Sequence, residues 1–350
     1  MKTHRQLKPP LWLRINWDDP AEPQVINGPE ATLSNAVCFC CLRGVDQVGS
    51  LTQEDVFPRW LLRRFPQLAT ETYNYFGSVP VKLSAIKIPA CGSCNNEYLS
   101  AYLEKRISQA CGSYEVAIQL PRNVWGSWVA KIFYGIYLKG CSLRANIRDP
   151  MSPPLIDKEF VLSINRARTL AILAAPAFEL VPLGALHSTV ALLPCKEAIP
   201  QPLVEFIDLP QLEAIAMRVG AVGLIVCVGD GGLTDTVLTG SSFHRDYTRK
   251  PLTAFRFREA AAMVFYQRSR LTWTPEPLFL EVSDCRVACV INTATLSEGP
   301  LQTPFKAADA RAMFASVFQI PYENVRWTRK QGIVVDLPVT HPLADGSLDD

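Results

Sequence analysis

Four cysteines stand in two C-x-x-C pairs, Cys38/Cys41 and Cys91/Cys94, about fifty residues apart in a chain of 350. Thiolates at that spacing form two tight knuckles, each pointing two sulfurs inward, and together they can surround one Zn2+ as a tetrahedron. Gly44 after the first pair and Gly92 inside the second suit the turns such knuckles need. Cys40 is a further thiol and could replace Cys38 or Cys41 as a ligand. The competing reading is a set of buried thiols, since cysteine also packs as a small hydrophobe.

Between the knuckles runs Glu54-Asp55-Val56-Phe57-Pro58-Arg59-Trp60, and behind the second come Asn95-Asn96 and Leu99-Ser100-Ala101-Tyr102-Leu103-Glu104. Carboxylates brought together by a fold can hold a divalent ion that lowers the pKa of a bound water. Taken singly, Glu54, Asp55 and Glu104 could equally cap helices or face solvent. The order C-x-x-C, Glu-Asp-Val-Phe-Pro-x-Trp, C-x-x-C-Asn-Asn resembles the zinc-ribbon branch of the HNH endonuclease family over about seventy residues. The resemblance implies a module of two strands and a helix pinned by a structural Zn2+, with a catalytic Mg2+ or Mn2+ between strand and helix. It places Glu54 at the acidic metal ligand, Asn95 (or Asn96) at the asparagine behind the last cysteine, and Glu104 near the last metal-binding position. Asp55 stands where the family carries the histidine that activates water.

That exchange has a chemical consequence. A histidine with a pKa of about 6.5 accepts a proton near neutrality, whereas an aspartate with a pKa of about 3.9 is already ionised and is a far weaker base. The histidines of the chain are His4, His187, His244 and His341, none of them between the knuckles. Two functions follow from the resemblance and the exchange together. One is a metal-dependent endonuclease that hydrolyses phosphodiester bonds in DNA, as in defence systems or mobile elements. The other is a catalytically silent zinc-ribbon protein that binds nucleic acid or a protein.

Charge bears on the partner. The whole chain carries a formal +2, yet residues 59–148 hold twelve Lys or Arg against four acids, a net +8 that leaves −6 for the remainder. A cationic stretch beside a phosphodiesterase-like motif is what a polyanion requires, and Arg59, Arg63 and Arg64 are its candidate phosphate contacts.

The elements that must position these residues can be read from periodicity. Thr52, three residues before Asp55, has the spacing of a helix cap. Phe57, Trp60, Leu61 and Phe65 share one face of an amphipathic segment that Pro66 ends. The alternation from Lys82 to Ile88 predicts a strand delivering the second knuckle, and residues 95–110 and 124–138 have helical spacing. Trp125 and Trp128 are expected in the core. Composition and prolines shift near 148–154, which predicts three parts: an arm over 1–35, the zinc-ribbon domain with its helical extension over 36–150, and a C-terminal mixed domain over 151–350. In the last, strands are expected at 169–175, 188–193, 204–207, 215–219, 223–228, 278–282 and 286–293, and helices at 252–271 and 306–318. Gly229-Asp230-Gly231-Gly232 reads as a turn, because no phosphate-loop sequence follows it.

The fold class expected is therefore α+β. With 48% hydrophobic and 19% charged residues the composition is that of a folded globular chain. No apolar run approaches the ~20 residues of a membrane span, and the first residues lack the apolar core of a secretory signal, so the expected setting is cytoplasmic. The C-terminal domain is a candidate for a protein partner.

Overall fold

The computed structural model describes residues 38–40, 45–75, 79–146, 148–149, 151–156, 179–182, 188–197, 204–272, 277–283, 286–291, 301–328 and 332–336. Cys41, the arm over 1–35, the strand expected at 169–175 and the tail beyond 336 lie outside them. Helix and strand are both abundant, as an α+β chain requires. The chain divides into two compact units, one drawn from within Met1–Gln109, Asn123–His187 and Glu276–Asn292, the other from within Ala110–Arg122, Ser188–Pro275 and Thr293–Asp350.

In the first unit, β1 (Leu51–Asp55) leads into α1 (Arg59–Arg64), then the hairpin of β2 (Thr72–Tyr75) and β3 (Val79–Lys82). β4 (Lys87–Cys91) returns antiparallel to β1, pairing Leu51 with Cys91 and Asp55 with Lys87. The stretch expected to be one strand from Lys82 to Ile88 is broken: Lys82 ends β3, a single helical turn spans Leu83–Ala85, and β4 starts at Lys87. The reason lies in burial. Leu83, Ile86 and Ile88 are the inward residues, and a step of three followed by a step of two is not the period of a strand. Thr52 does not cap a helix, because it sits in β1 and its hydroxyl donates to the Ala90 carbonyl across the strand pair at 2.9 Å.

Behind β4 the chain winds into α2 (Ser93–Glu104), which runs on as α3 (Lys105–Ala110). α4 (Arg122–Ser142) is the centre of the unit. From Val124 to Tyr137 it is buried on every side, with Trp125, Trp128, Ile132, Phe133 and Ile136 almost fully out of solvent. A helix apolar all round belongs inside a core. Trp128 stacks on Trp60 at 6.0 Å and meets Trp125 edge-on at 6.3 Å, so these indoles are packing groups. β5 (Glu179–Pro182) completes a small sheet in the order β10-β11-β5, where β10 is Pro277–Ser283 and β11 is Arg286–Ile291.

The second unit is built on an antiparallel sheet in the order β6-β9-β8-β7, from β6 (Thr189–Pro194), β7 (Val204–Leu209), β8 (Ala214–Val219) and β9 (Val222–Cys227). Gly220, at φ 61°, closes the β8–β9 hairpin in the left-handed region. The Gly229–Gly232 turn wraps the buried carboxylate of Asp230. That carboxylate accepts from Thr189 N and Oγ1, Gly232 N and Thr234 N at 2.7–3.1 Å. Its acceptor sites are thereby filled by the protein, which is what a structural turn needs. α5 (Leu233–Thr239) follows, with α6 (Phe243–Tyr247), α7 (Ala254–Ser269) and α8 (Ala307–Phe318). Phe257, Phe265, Phe314 and Phe318 of the last two share a core with the sheet. Among the described residues, no helix is long and apolar enough to cross a membrane.

Gly135 lets α4 pack closely on Val56, just past β1, and on Ile88 of β4. A Cβ there would come within 2.7 Å of the Val56 side chain and 3.1 Å of Ile88, and valine has little rotamer freedom with which to yield. Overpacking of this kind costs about 1–3 kcal/mol, against about 0.8–1 kcal/mol of helix propensity gained. Gly135→Ala is therefore expected to lower the urea midpoint at an unchanged slope.

Candidate functional site

Strand alternation decides which carboxylate faces which way. In β1, Glu54 is 6% exposed and turns toward the core, while Asp55, one residue on, turns to the other face. Opposite Asp55 in the register stands Lys87, whose Nζ lies 3.0 Å from Asp55 Oδ1, and the Arg59 Nε approaches Oδ2 at 2.7 Å. Asp55 is thus held by two cations on the strand surface.

Glu54 meets a different partner. Lys131, in the middle of α4 and 0% exposed, brings its Nζ to 2.6 Å from Glu54 Oε1 and 2.8 Å from Glu104 Oε1 at the end of α2. The Asp55 backbone carbonyl accepts from the same nitrogen at 2.8 Å. An ammonium has three protons to donate, and here it has three near oxygens. Burial by itself would pull the Lys131 pKa down, but the Glu104 and Glu54 carboxylates outweigh it and raise the value, so the ammonium form persists. Burial raises the pKa of Glu104, which Lys131 opposes and the Glu54 charge reinforces. Two acids share one cation.

The carboxylates, though not Lys131 itself, line one cleft of about 570 Å³ within the first unit. Glu54, Asp55, Asn95, Asn96, Glu104, Arg59 and Arg63 all border it, together with Trp60, Lys105 and several uncharged polar side chains. Arg64 does not; its guanidinium lies 5.7 Å from the centre of the Phe65 ring. The helical wall consists of Asn95 and Asn96, Ser100 and Ala101, Glu104 and Lys105, Ser108 and Gln109. The first step between these pairs is five residues and the next two are four. α2 is wound wide, with the Lys105 N–H bonding the Ser100 carbonyl five residues back, so a five-residue step falls on one face. Asn95 Nδ2 donates to Thr52 Oγ1 at 2.9 Å, fastening this wall to β1.

The thiols lie behind that fastening. Cys91 ends β4 and Cys94 sits in the first turn of α2. Cys38 completes a buried cluster whose ligand atoms all lie within 4.8 Å of one another and could hold a metal ion. The Phe39 N–H to Pro89 carbonyl bond, 2.9 Å, lays the first knuckle along β4. Cys40, though buried, is not a member of the cluster among the described residues. Cys41 lies outside those residues.

The donor set of the cleft does not fit a divalent ion as it stands. Glu54 and Glu104 share one ammonium, and Asp55 is spanned by Arg59 and Lys87. Mg2+ takes oxygen ligands at about 2.0–2.1 Å, and here a cation already occupies the meeting point of the two glutamates. Lys131 is the residue that reading the sequence for motifs passed over. Its signal was a lone charge inside the apolar run Val124–Leu138, since a lysine is almost never fully buried unless paired.

Removing one member of a buried ion cluster leaves a charge uncompensated, at a cost of about 3–5 kcal/mol, whereas removing all members together costs far less. Lys131→Met is expected to lose stability of that order in urea unfolding, and adding Glu54→Gln and Glu104→Gln to it is expected to recover most of the loss. No protein-family model matches this chain, and no curated protein or solved structure matches it.

Proposed function

We propose that the first unit is a zinc-ribbon module, similar in its motif order to the HNH endonuclease family, that grips the phosphate backbone of DNA without cutting it. The observation that carries this reading is the arrangement of Arg59, Arg63 and Lys105 around a polar cleft rather than scattered over the surface. Arginine and lysine at the rim of a groove supply the sequence-independent part of nucleic-acid affinity. The uncharged lining, Gln53, Asn95, Asn96, Ser100, Ser108 and Gln109, adds donors and acceptors for phosphate and sugar oxygens. Hydrolysis is not part of the reading, because Asp55 lacks the basicity of the histidine it replaces and both its oxygens are engaged by cations.

In the same proposal the buried thiols of Cys38, Cys91 and Cys94 hold a structural Zn2+, with Cys41 as the fourth ligand. Soft thiolates in a closed, buried cluster favour zinc over magnesium or calcium. Elemental analysis of the purified protein is expected to find close to one Zn per chain. Cys94→Ser should lose the metal and with it folding stability, because binding of a structural zinc contributes directly to folding. Full zinc in that variant would remove the assignment.

The DNA reading is tested by fluorescence anisotropy on a labelled duplex between about 50 and 200 mM salt, the range over which counterion release is steep. Each phosphate contact contributes about 0.9 to the slope of log K against log salt, so Arg59→Ala, Arg63→Ala and Lys105→Ala combined should flatten it by roughly two to three. Binding indifferent to salt would point to a protein partner. Plasmid cut in the presence of Mg2+ by the native protein but not by Glu54→Gln would return the site to the nuclease reading.

A further inference from the structure

We infer that Lys131 is a built-in cation that closes the Glu54–Glu104 pair to divalent ions, and that taking its charge away turns the pair into a divalent cation site. The inference concerns the cluster itself and does not depend on what the cleft binds.

Three observations converge on it. The Oε1 atoms of Glu54 and Glu104 are aimed at a single point, 2.6 and 2.8 Å from Lys131 Nζ, and the Asp55 carbonyl oxygen is directed there too, at 2.8 Å. A point surrounded by two carboxylates and a carbonyl is a hard-cation environment, of the kind that Mg2+ and Mn2+ share with water molecules. Second, both glutamates border the cleft of about 570 Å³, so the carboxylates that surround this point form part of the cleft wall. Third, the ammonium itself is held in place. Lys131 lies on the buried length of α4 between Trp128 and Phe133, with no exposed surface. Side-chain rotation would strip its charge of all three oxygens without giving it water, so the ammonium and a divalent ion are mutually exclusive at this point.

The charges give the same answer. With Lys131 present, the cluster carries at most one net negative charge. A divalent ion would then add its own repulsion from the ammonium to the cost of shedding its water. Without the ammonium the two acids carry up to two negative charges in a buried place, and a cation of charge two restores the balance. Mn2+ is the probe of choice because it prefers oxygen ligands, is a weak competitor for thiolates and has its own paramagnetic signal.

The test uses the full chain as purified in four forms: native, Glu104→Gln, Lys131→Met, and Lys131→Met with Glu54→Gln and Glu104→Gln. Melting temperature is followed as MnCl2 is raised, and bound Mn2+ is counted by electron paramagnetic resonance. The native protein should show no shift and no Mn2+ that depends on Glu54 or Glu104. Lys131→Met should bind one Mn2+ per chain and melt progressively higher as the ion is added, by mass action on the folded state. The triple variant should lose both responses. Where Lys131→Met yields no folded protein, Lys131→Gln takes its place in the same titration, since its amide can still donate to a carboxylate. A shift in the native protein that Glu104→Gln abolishes would overturn the inference, as would a folded charge-deleted variant indifferent to Mn2+.

Discussion

One buried ammonium holds three elements of the first unit in register. Lys131 comes from α4, Glu54 from β1 and Glu104 from the end of α2, and the same nitrogen bonds the backbone of β1 at Asp55. The two carboxylate contacts join α4 to different elements, so one nitrogen ties β1 and α2 to the same helix. Such a cluster contributes little net stability over an apolar core of the same volume. What it does is penalise alternatives, because any slip of β1 by one residue would present Asp55 to the core and send Glu54 outward. The cross-strand pairing of Asp55 with Lys87 opposes the same slip from the solvent side.

The thiol cluster and the cleft are two ends of one construction. β4 runs from Lys87, beside Asp55, to Cys91 in the cluster, and the chain turns at once into α2, which carries Cys94, Asn95 and finally Glu104. The Asn95–Thr52–Ala90 relay joins helix, first strand and second strand halfway between. The thiol cluster thus sits where α2 begins, and the wide winding of α2 sets which of its side chains reach the cleft.

The second unit obeys a different logic. Its sheet is mostly apolar, with β8 and β9 buried along their full lengths, and a few charged groups are buried within it. Asp230 serves four donors in one turn. Arg258 and Arg218 both approach Glu205, at 2.7 and 3.8 Å, in the interior of the unit. These are features of a scaffold.

Much of the site was legible from residue types and spacing alone. Cys91, Cys94 and Cys38 were marked by the C-x-x-C spacing, since few uses of cysteine other than metal binding repeat it so regularly. Glu54, Asp55, Asn95, Asn96 and Glu104 were marked by motif order, and the long runs 124–138, 252–271 and 306–318 declared their helices by apolar periodicity. The break at Leu83–Ala85 was hidden because apolar residues fit alternation loosely over so short a span, and the step of three from Leu83 to Ile86 shows only in which of them are buried. Nor could periodicity show that α2 winds with a five-residue hydrogen bond, which depends on how the thiol turn launches the helix. Above all, sequence proximity says nothing of partners that lie twenty-seven residues and more apart. A lysine in an apolar helix announces that it needs an acid. Which acid it meets, and that it meets two of them at the point where a metal ion had been expected, was decided only when strand and helix closed around it in three dimensions.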